Sequence, residues 1–496
     1  MSVIREVTKI IRSVTGLSAE IDSRCASFRV SSHAPCPNDG PKCVQISDRK
    51  SSKCRNENGP NIGIWNFITI FAPKMQMKNY RPRIADKLLQ QKLEAVGGVL
   101  IQGPKWCGKT TTAEQHSGSV LYMADPHNIQ LAQIAVKNLL KGKTPRLVDE
   151  WQVAPPLWDA ARFEIDHRGE PGQFIFTGSA VPADRSGIIH SGTGRFSWLT
   201  MRTMSLFESG ESSGEVSLKA LFDGETDVFA ETDLDIDTLA YCICRGGWPN
   251  AIDRKENVAL SRAVDYLDAV VNTDISRVDG VERNPDRALR IMRSLARHQG
   301  AQVSNNAIRD DISGNEEGGI SNETVASYIG ALKNIFVVED APAWNPNLRS
   351  KTAIRSSDTR YFSDPSIAAA ALGVGPQDLV CDLNTMGLLF ETLCVRDLRV
   401  YASALGGQLY HYRDKTGLEC DAVIHLRNGR YGLVEIKLGG DSAVDHGVKT
   451  LLDLSAKIDT DKMNRPTFMM VLVGVGKYAY TRPDGVLVVP VSCLRD

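Results

Sequence analysis

The sequence has no strong excess of charge of either sign, no long apolar run and no paired-cysteine pattern. Its 58 basic and 59 acidic side chains leave a net charge of −1, so the overall charge predicts no polyanionic partner. No apolar segment is long enough to span a bilayer, and residues 1–15 lack the apolar stretch of a signal peptide. The 11 cysteines are scattered, which favours reduced thiols over a disulfide framework. We therefore expect a cytoplasmic protein without a membrane segment.

Residues 1–76 differ in composition from the rest of the chain. Residues 31–60 are rich in Ser, Pro, Asn, Gly and Lys and lack apolar periodicity, which is typical of disorder. The spacing of four cysteines in this segment argues against a zinc site; they are Cys25, Cys36, Cys43 and Cys54. Met75 and Met77 directly precede the first well-patterned segment. We interpret residues 1–76 as a disordered or misannotated leader, with the biological start at one of these methionines.

A glycine-rich loop is the most informative feature of the sequence. Residues 103–110 read Gly-Pro-Lys-Trp-Cys-Gly-Lys-Thr and fit the G-x-x-x-x-G-K-[ST] pattern of P-loop nucleotide-binding sites. The apolar run at residues 97–102 predicts a buried strand before the loop, and residues 110–115 are compatible with a helix after it. The predicted nucleotide-binding residues are Gly103, Pro104, Lys105, Trp106, Cys107, Gly108, Lys109, Thr110 and Thr111.

The chemistry of this loop predicts ATP and Mg²⁺ as ligands. Glycines allow successive backbone N–H groups to turn towards a phosphate, and the helix N-terminus adds its positive end. Lys109 would reach the β- and γ-phosphates, while the Thr110 hydroxyl would bind Mg²⁺.

Two acids follow a second apolar run. Asp149 and Glu150 end the short segment 145–150, where P-loop enzymes carry the acid that holds Mg²⁺. We assign Asp149 to Mg²⁺ and Glu150 to the general base that accepts a proton from the attacking water. Residues 173–179 predict the next strand, whose Thr177 or Ser179 would sense the γ-phosphate or water; a plain strand and turn is equally compatible.

Arg195 follows a glycine-flexible stretch after that strand. An arginine in this position could act as an arginine finger, either on its own chain or across a subunit interface of a homo-oligomer. A surface arginine in a turn fits the same residues equally well.

Repeated strand–helix units from residue 80 onwards predict an α/β domain with a parallel sheet and helices on both faces. Five segments of this region resemble a prokaryotic family of ATP-binding proteins; they are residues 103–112, 148–152, 176–179, 192–195 and 201–208. Members have an AAA-type P-loop domain followed by a C-terminal domain of unknown function. The resemblance covers roughly residues 80–438 and implies ATP binding and hydrolysis, but no substrate. This chain has Thr203 where members usually have proline.

Helical patterns dominate the middle of the chain. Residues 286–298, 305–312 and 321–336 predict three helices, the last with Ser321 as its N-cap. Residues 337–344 and 360–362 could pair as a wing, which together predicts a winged-helix arrangement. Its last helix is hardly basic, although the wing carries Arg349, Lys351 and Arg355, so both DNA and protein remain as partners.

The C-terminal part contains a second group of acids. Asp421 lies on one predicted strand, Glu435 and Lys437 lie on the next, and Glu391 lies on a preceding apolar helix. This arrangement is that of restriction-endonuclease-like nucleases, and the family's C-terminal domain resembles that fold. Asp421 and Glu435 would share Mg²⁺ with help from Glu391, and Lys437 would activate the attacking water. A salt-bridged set without activity is the alternative.

Together these features predict four regions. They are a leader (1–76), an AAA-type P-loop ATPase domain (77–232), a helical or winged-helix domain (233–372) and a nuclease-like α/β domain (373–496). The favoured function is Mg²⁺-dependent ATP hydrolysis coupled to the C-terminal regions. An ATP-gated, metal-dependent DNA nuclease and a non-catalytic, nucleotide-dependent interaction protein are the alternatives.

Overall fold

The computed structural model describes residues 18–21, 28–31, 80–178, 191–314, 319–346 and 356–496. The chain divides into two units, Met1–Pro73 and Lys74–Asp496. In the first unit, β1 (Ser18–Ile21) and β2 (Phe28–Ser31) form an antiparallel pair. The cysteines and methionines discussed for residues 1–76 lie outside the described residues, as do Ser179 and the three basic residues of the predicted wing.

The P-loop region is an α/β domain with helices packed on a parallel sheet. Its elements are α1 (Ile84–Ala95), β3 (Gly98–Gln102), α2 (Lys109–His116), β4 (Ser119–Tyr122), α3 (Pro126–Leu139), β5 (Arg146–Asp149), α4 (Pro156–Arg168), β6 (Phe174–Thr177) and β7 (Phe196–Thr200). The strand order is β4-β5-β6-β3-β7, and every neighbouring pair is parallel. The predicted parallel-sheet architecture is therefore confirmed.

Local sequence explains where these elements begin and end. The side chain of Asp125 caps α3 by accepting from the backbone N–H of His127, and Pro126 occupies the first helical position. Gly169 ends α4 in the left-handed conformation, which glycine adopts without strain. The strands β3 and β6 are apolar and buried, because helices cover both faces of the sheet.

A connecting segment leads from this domain into a helical region. It contains α5 (Leu206–Ser209), β8 (Val216–Ser217), α6 (Leu218–Phe222) and β9 (Phe229–Glu231). The helical region contains α7 (Ile236–Arg245), α8 (Glu256–Ala269), a π-helical turn (Val270–Asp274), α9 (Ile275–Arg277), α10 (Pro285–Arg297), α11 (Asn305–Ser313), α12 (Asn322–Asn334), β10 (Val338–Ala341), β11 (Thr359–Phe362), α13 (Pro365–Leu372) and α14 (Pro376–Cys381). Ser321 caps α12 as predicted, and β10 pairs antiparallel with β11.

The C-terminal region is built on a mixed sheet. Its elements are α15 (Leu383–Ala404), β12 (Gly407–Arg413), β13 (Glu419–Leu426), β14 (Tyr431–Lys437), α16 (Asp441–Ala456), β15 (Phe468–Val473), β16 (Tyr478–Thr481), β17 (Leu487–Pro490) and β18 (Leu494–Arg495). The seven-stranded order is β12-β13-β14-β15-β17-β16-β9. Because β9 belongs to this sheet, the predicted domain boundary at residue 232 does not follow the sheet organisation. In the part of the chain that the structure describes, no helix has the length and apolarity needed to cross a membrane.

Buried polar contacts join the connecting segment to the two following regions. The hydroxyl of Thr203 donates to Asp364 at 2.6 Å, and the backbone N–H of Leu206 donates to Asp397 at 2.9 Å. Arg396 on α15 bridges these two acids, at 3.2 Å from Asp364 and 2.7 Å from Asp397. A proline in place of Thr203 would lack the hydroxyl, so the threonine of this chain has a structural role that its sequence position did not predict.

Candidate nucleotide-binding site

The P-loop lies between the end of β3 and the start of α2. Gly103 has φ of +148°, and a Cβ at this position would lie 2.0 Å from the carbonyl oxygen of Met201. Gly108 is left-handed as well, with φ of +100°. Both positions therefore require glycine, and the loop is shaped by its sequence. The ammonium of Lys109 donates to the carbonyl oxygens of Gly103 and Pro104, at 2.9 and 2.8 Å.

The carboxylate of Asp149 is the centre of the hydrogen-bonding network beside the loop. Asp149 ends β5, and its Oδ1 accepts from the hydroxyls of Thr110 and Thr177, each at 2.6 Å. In the sheet, Thr177 lies opposite Asp149 on one side and opposite Ile101 on the other. Parallel register therefore brings the ends of three strands and the start of α2 to one place, where Thr110 and Asp149, the two residues predicted to bind Mg²⁺, are in contact.

Glu150 follows Asp149 in a left-handed backbone conformation, with φ of 55° and ψ of 44°. Residues other than glycine rarely adopt this conformation. At Glu150 it turns the chain sharply after β5. The amide Nε2 of Gln152 donates to the Glu150 carboxylate. The Oε1 atom of Gln152 is buried and has no hydrogen-bond partner among the described residues. The motif at residues 148–152 contains Gln152 but does not indicate that its side chain contacts Glu150.

Arg83, a residue that no sequence motif marks, holds the P-loop through hydrogen bonds of its side chain. Its buried guanidinium donates to the carbonyl oxygen of Cys107 at 2.8 Å, to Glu208 at 3.0 Å and to the carbonyl oxygen of Arg202 at 2.9 Å. The loop is thus tied to the connecting segment by one side chain. A lone arginine ahead of a helix carries no motif, so only the structure reveals this role.

A cavity of about 500 Å³ adjoins the first turn of α2. Its lining includes Tyr80, Gly108, Thr111, Thr112 and Asn250, and the hydroxyl groups of Tyr80 and Thr112 are hydrogen-bonded at 3.1 Å. Its volume lies in the range of ligand-binding cavities. The cavity is therefore large enough for the nucleoside part of a nucleotide whose phosphates lie in the loop.

Two residues of the loop face the helical region. Lys105 forms an ion pair of 2.6 Å with Asp274, the last residue of the π-helical turn. Trp106, at φ of +65°, makes an edge contact with Tyr266 at a ring-centre distance of 5.7 Å. These contacts fix the outer part of the loop against α8 and the turn that follows it.

Arg195 lies where β3 begins, whereas the P-loop lies where β3 ends. Its carbonyl oxygen accepts from Gly98 at the start of β3, whereas the loop follows the end of β3. Its guanidinium forms an exposed ion pair of 2.8 Å with Asp166. The full length of β3 therefore separates Arg195 from the P-loop of its own chain in this structure.

The predicted C-terminal residues converge. Lys437 lies 3.1 Å from Asp421 and 2.6 Å from Glu435. The two carboxylates raise the pKa of Lys437 although burial opposes this. Burial first, and then the charge of Asp421, raises the pKa of both Glu435 and Glu391. The carboxyl of Glu391 accepts from the hydroxyl of Tyr361 at 2.6 Å.

This acid–lysine cluster, comprising Glu391, Asp421, Glu435 and Lys437, is closed by the helical region. A Cβ on Gly300 would lie 2.5 Å from the Glu391 carboxyl, so the chain passes directly over it. The adjoining cavity holds only about 30 Å³. Among the described residues no group of three or more His, Cys, Asp or Glu could hold a metal ion. The predicted ligands therefore do not fit Mg²⁺ in this arrangement, because Lys437 lies between the carboxylates.

Comparison with known families assigns three segments. Residues 97–209 match the AAA domain. These residues form a P-loop domain of AAA type, and ATP is the expected ligand. Residues 236–378 and 386–494 match two domains of unknown function, DUF8612 and DUF4143.

Among solved structures, the Walker-type ATPase paby2304 of Pyrococcus abyssi is 14% identical, with a TM-score of 0.38. The similarity covers 61% of this chain and 98% of that one. No curated protein matches the chain.

The AAA domain thus brings together most of the residues that its sequence singled out. Lys109, Thr110, Asp149 and Thr177 meet at one edge of the sheet, and Glu150 follows directly. Arg195 does not join them. Arg83 and Gln152 were missed as contributors because their contacts are with residues far away or with a side chain whose direction the sequence does not specify.

Proposed function

We propose that the AAA domain hydrolyses ATP with Mg²⁺. The observation that carries this proposal is the Asp149 carboxylate, which accepts from Thr110 and Thr177 at 2.6 Å beside the P-loop lysine. A carboxylate and a hydroxyl are oxygen ligands of the kind that Mg²⁺ prefers, so Asp149 and Thr110 fit this ion. A loop lysine, a threonine and an acid at the end of another strand of the same sheet, here β5, are the parts that P-loop phosphoryl transfer requires.

Each residue has a distinct role in this proposal. Lys109 binds the β- and γ-phosphate oxygens, exchanging its contacts with the loop carbonyls for them. Mg²⁺, when bound to Thr110 and Asp149, offsets the negative charge of the phosphates. Thr177 orients the Asp149 carboxylate.

In this proposal Glu150 acts on the attacking water, and Gln152 orients Glu150. One oxygen of Glu150 is held by the Gln152 amide, and its carboxylate takes a proton from the water as the water oxygen bonds to the γ-phosphorus and the bond from that phosphorus to the bridging oxygen breaks, which releases ADP. Gln152 thereby orients the Glu150 carboxylate and acts on the water only through it.

Steady-state ATP turnover by the purified full chain tests this proposal. Lys109→Ala should abolish turnover. Glu150→Gln should still bind ATP but turn it over at least about a hundredfold more slowly, as loss of a general base implies. Glu170→Gln, a change at an exposed acid of the same domain, is the matched control and should behave like the unaltered protein. Unchanged turnover in Lys109→Ala would rule the assignment out.

A second candidate function is metal-dependent cleavage of DNA by the acid–lysine cluster, with ATP as a switch. Its support is the convergence of Asp421, Glu435 and Lys437; the closure of the cluster and its poor fit to a metal ion oppose it. Plasmid nicking with Mn²⁺, with and without ATP, is the test. Activity that disappears in Asp421→Ala supports this function, and equal nicking by both proteins assigns it to a contaminant or to another site.

Two further proposals concern partners. The helices α10 to α12 with the pair β10–β11 support a winged-helix arrangement, which would bind DNA or protein. Arg195, exposed at the far edge of the sheet, would complete the ATP site only of a neighbouring chain in a homo-oligomer.

A further inference from the structure

A cleft separate from the ATP site lies between the edge strands of the two large sheets. β7 is one edge of the AAA sheet and β12 is one edge of the C-terminal sheet. Between them is a cavity of about 580 Å³, lined by Lys92, Trp198, Gly407 and Arg427 among others. A second cavity of about 630 Å³ continues past Gly407 and Arg427.

The two acids that line the first cavity, Glu339 and Asp340, are already paired with basic side chains. Glu339 accepts from Arg202 through both oxygens, at 2.6 and 2.9 Å, and lies 3.6 Å from Arg399. Asp340 is paired with Lys333 and lies 3.5 Å from Arg360. These acids are thus engaged and unavailable to other cations of the cleft.

Lys92 and Arg427 also line the first cavity, but among the described residues they are not paired with an acid. Lys92 donates only to the neutral hydroxyl of Ser197, at 3.0 Å, and in the described residues neither cation has a carboxylate within ion-pair distance. Burial, and then the positive charge of Arg427, lowers the pKa of Lys92. Two like charges held together without a counter-charge are unfavourable, and an anion between them would relieve that cost.

Aromatic side chains accompany these charges. Trp198 on β7 is 44% exposed, which is unusual for so large an apolar side chain. Tyr410 and His425 line the adjoining cavity and contact each other edge to face, and the Nε2 atom of His425 has no hydrogen-bond partner among the described residues. Positive charge interleaved with aromatic rings is the pattern that binds single-stranded nucleic acid, by contacts to phosphates and stacking on bases.

We infer that this cleft binds a single strand of nucleic acid, with Lys92 and Arg427 on its phosphates and Trp198 against a base. The two cavities share Gly407 and Arg427 and so form one continuous cleft, and stacking on Trp198 needs an exposed base face, which a single strand offers and a duplex does not. The site is independent of the proposed ATP hydrolysis, since none of these residues contacts the P-loop.

Fluorescence anisotropy with a labelled single-stranded oligothymidylate, measured over a series of salt concentrations, tests the inference. Lys92→Gln combined with Arg427→Gln should weaken binding at least about tenfold. It should also lower the dependence of log K on log salt by about 1.4, since each phosphate contact on a single strand contributes about 0.7. Lys415→Gln combined with Lys449→Gln removes the same charge from exposed positions elsewhere and should change neither quantity by as much.

A second variant separates stacking from charge. Trp198→Leu should weaken binding without changing the salt dependence, because it removes no positive charge. Circular dichroism and ATP turnover establish that each variant is folded. Absence of oligonucleotide binding, equal loss in the control variant, or equally tight binding of the corresponding duplex or of tripolyphosphate would overturn the inference.

Discussion

The buried arginine on α15 should be among the most important side chains for stability. Arg396 is 1% exposed in its side chain, and its two partners Asp364 and Asp397 are equally buried. Replacement of Arg396 by methionine keeps most of the volume but leaves two carboxylates without their counter-charge. Removing one partner of a buried ion pair typically costs about 3–5 kcal/mol. We expect a loss of that size in the free energy of unfolding near neutral pH.

The cost should depend on pH, because burial raises the pKa of Asp397 to about 6 in spite of the neighbouring Arg396. Below that pH Asp397 is protonated and neutral, so it has no charge for Arg396 to balance. Arg396→Met should therefore lower the free energy of unfolding less at pH 5 than at pH 8. For the same reason, adding Asp397→Asn to Arg396→Met should recover part of the loss at pH 8.

Urea unfolding followed by tryptophan fluorescence measures these differences. The control is Arg482→Met, which breaks an ion pair with Asp445 on the surface. Exposed pairs contribute about 0–1 kcal/mol, so this variant should unfold almost as the unaltered protein does. If Arg396→Met cost no more than the control, the argument from the buried network would be refuted.

Three other predictions concern the sites. The folded-state pKa of Glu391 is raised above the unfolded value of about 4.3, so the stability that its protonated form contributes is complete below that pH and is lost as the pH rises through the folded pKa. Between pH 5 and pH 9 the free energy of unfolding of the unaltered protein should therefore fall more than that of Glu391→Gln. An equal change in both proteins would contradict this. Gly103→Ala should lose ATP binding in calorimetry, because its Cβ would lie 2.0 Å from the Met201 carbonyl and the backbone strain costs about 1–3 kcal/mol. If Arg195 acts between chains, mixing Arg195→Ala with Lys109→Ala should restore part of the turnover; no rescue, with normal turnover in Arg195→Ala alone, would make it an ordinary surface residue.

The chemistry of the ATP site could be predicted because it is encoded in short segments. The loop at residues 103–110 requires glycine at positions of positive φ, and the acids of residues 149–150 lie at the end of the short strand β5, where Asp149 is the last residue. Parallel strands end at one edge of a sheet, so the meeting of Asp149 with Thr177 follows from the strand–helix alternation. The alternation of Glu435 and Lys437 on one strand predicted their shared face in the same way.

Other features depended on contacts between residues far apart in the chain. The sequence does not specify which sheet β9 joins, nor that Arg195 lies at the edge away from the phosphates, because strand order is decided by packing. Charge and spacing could not reveal that Tyr361 donates to Glu391 and that the chain at Gly300 closes the acid–lysine cluster.

By itself the sequence determined a P-loop domain with its lysine, threonine and acids, since those functions need particular residue types at fixed short spacings. Only the tertiary structure decided which side chains surround them. Arg83 reaches the loop from the start of α1, and Lys92 lines the same cavity as Arg427 although more than three hundred residues of chain separate them. The physical reason is that the residues of a local motif are kept close together by the chain itself, whereas clefts, closures and ion pairs arise where separate elements pack together.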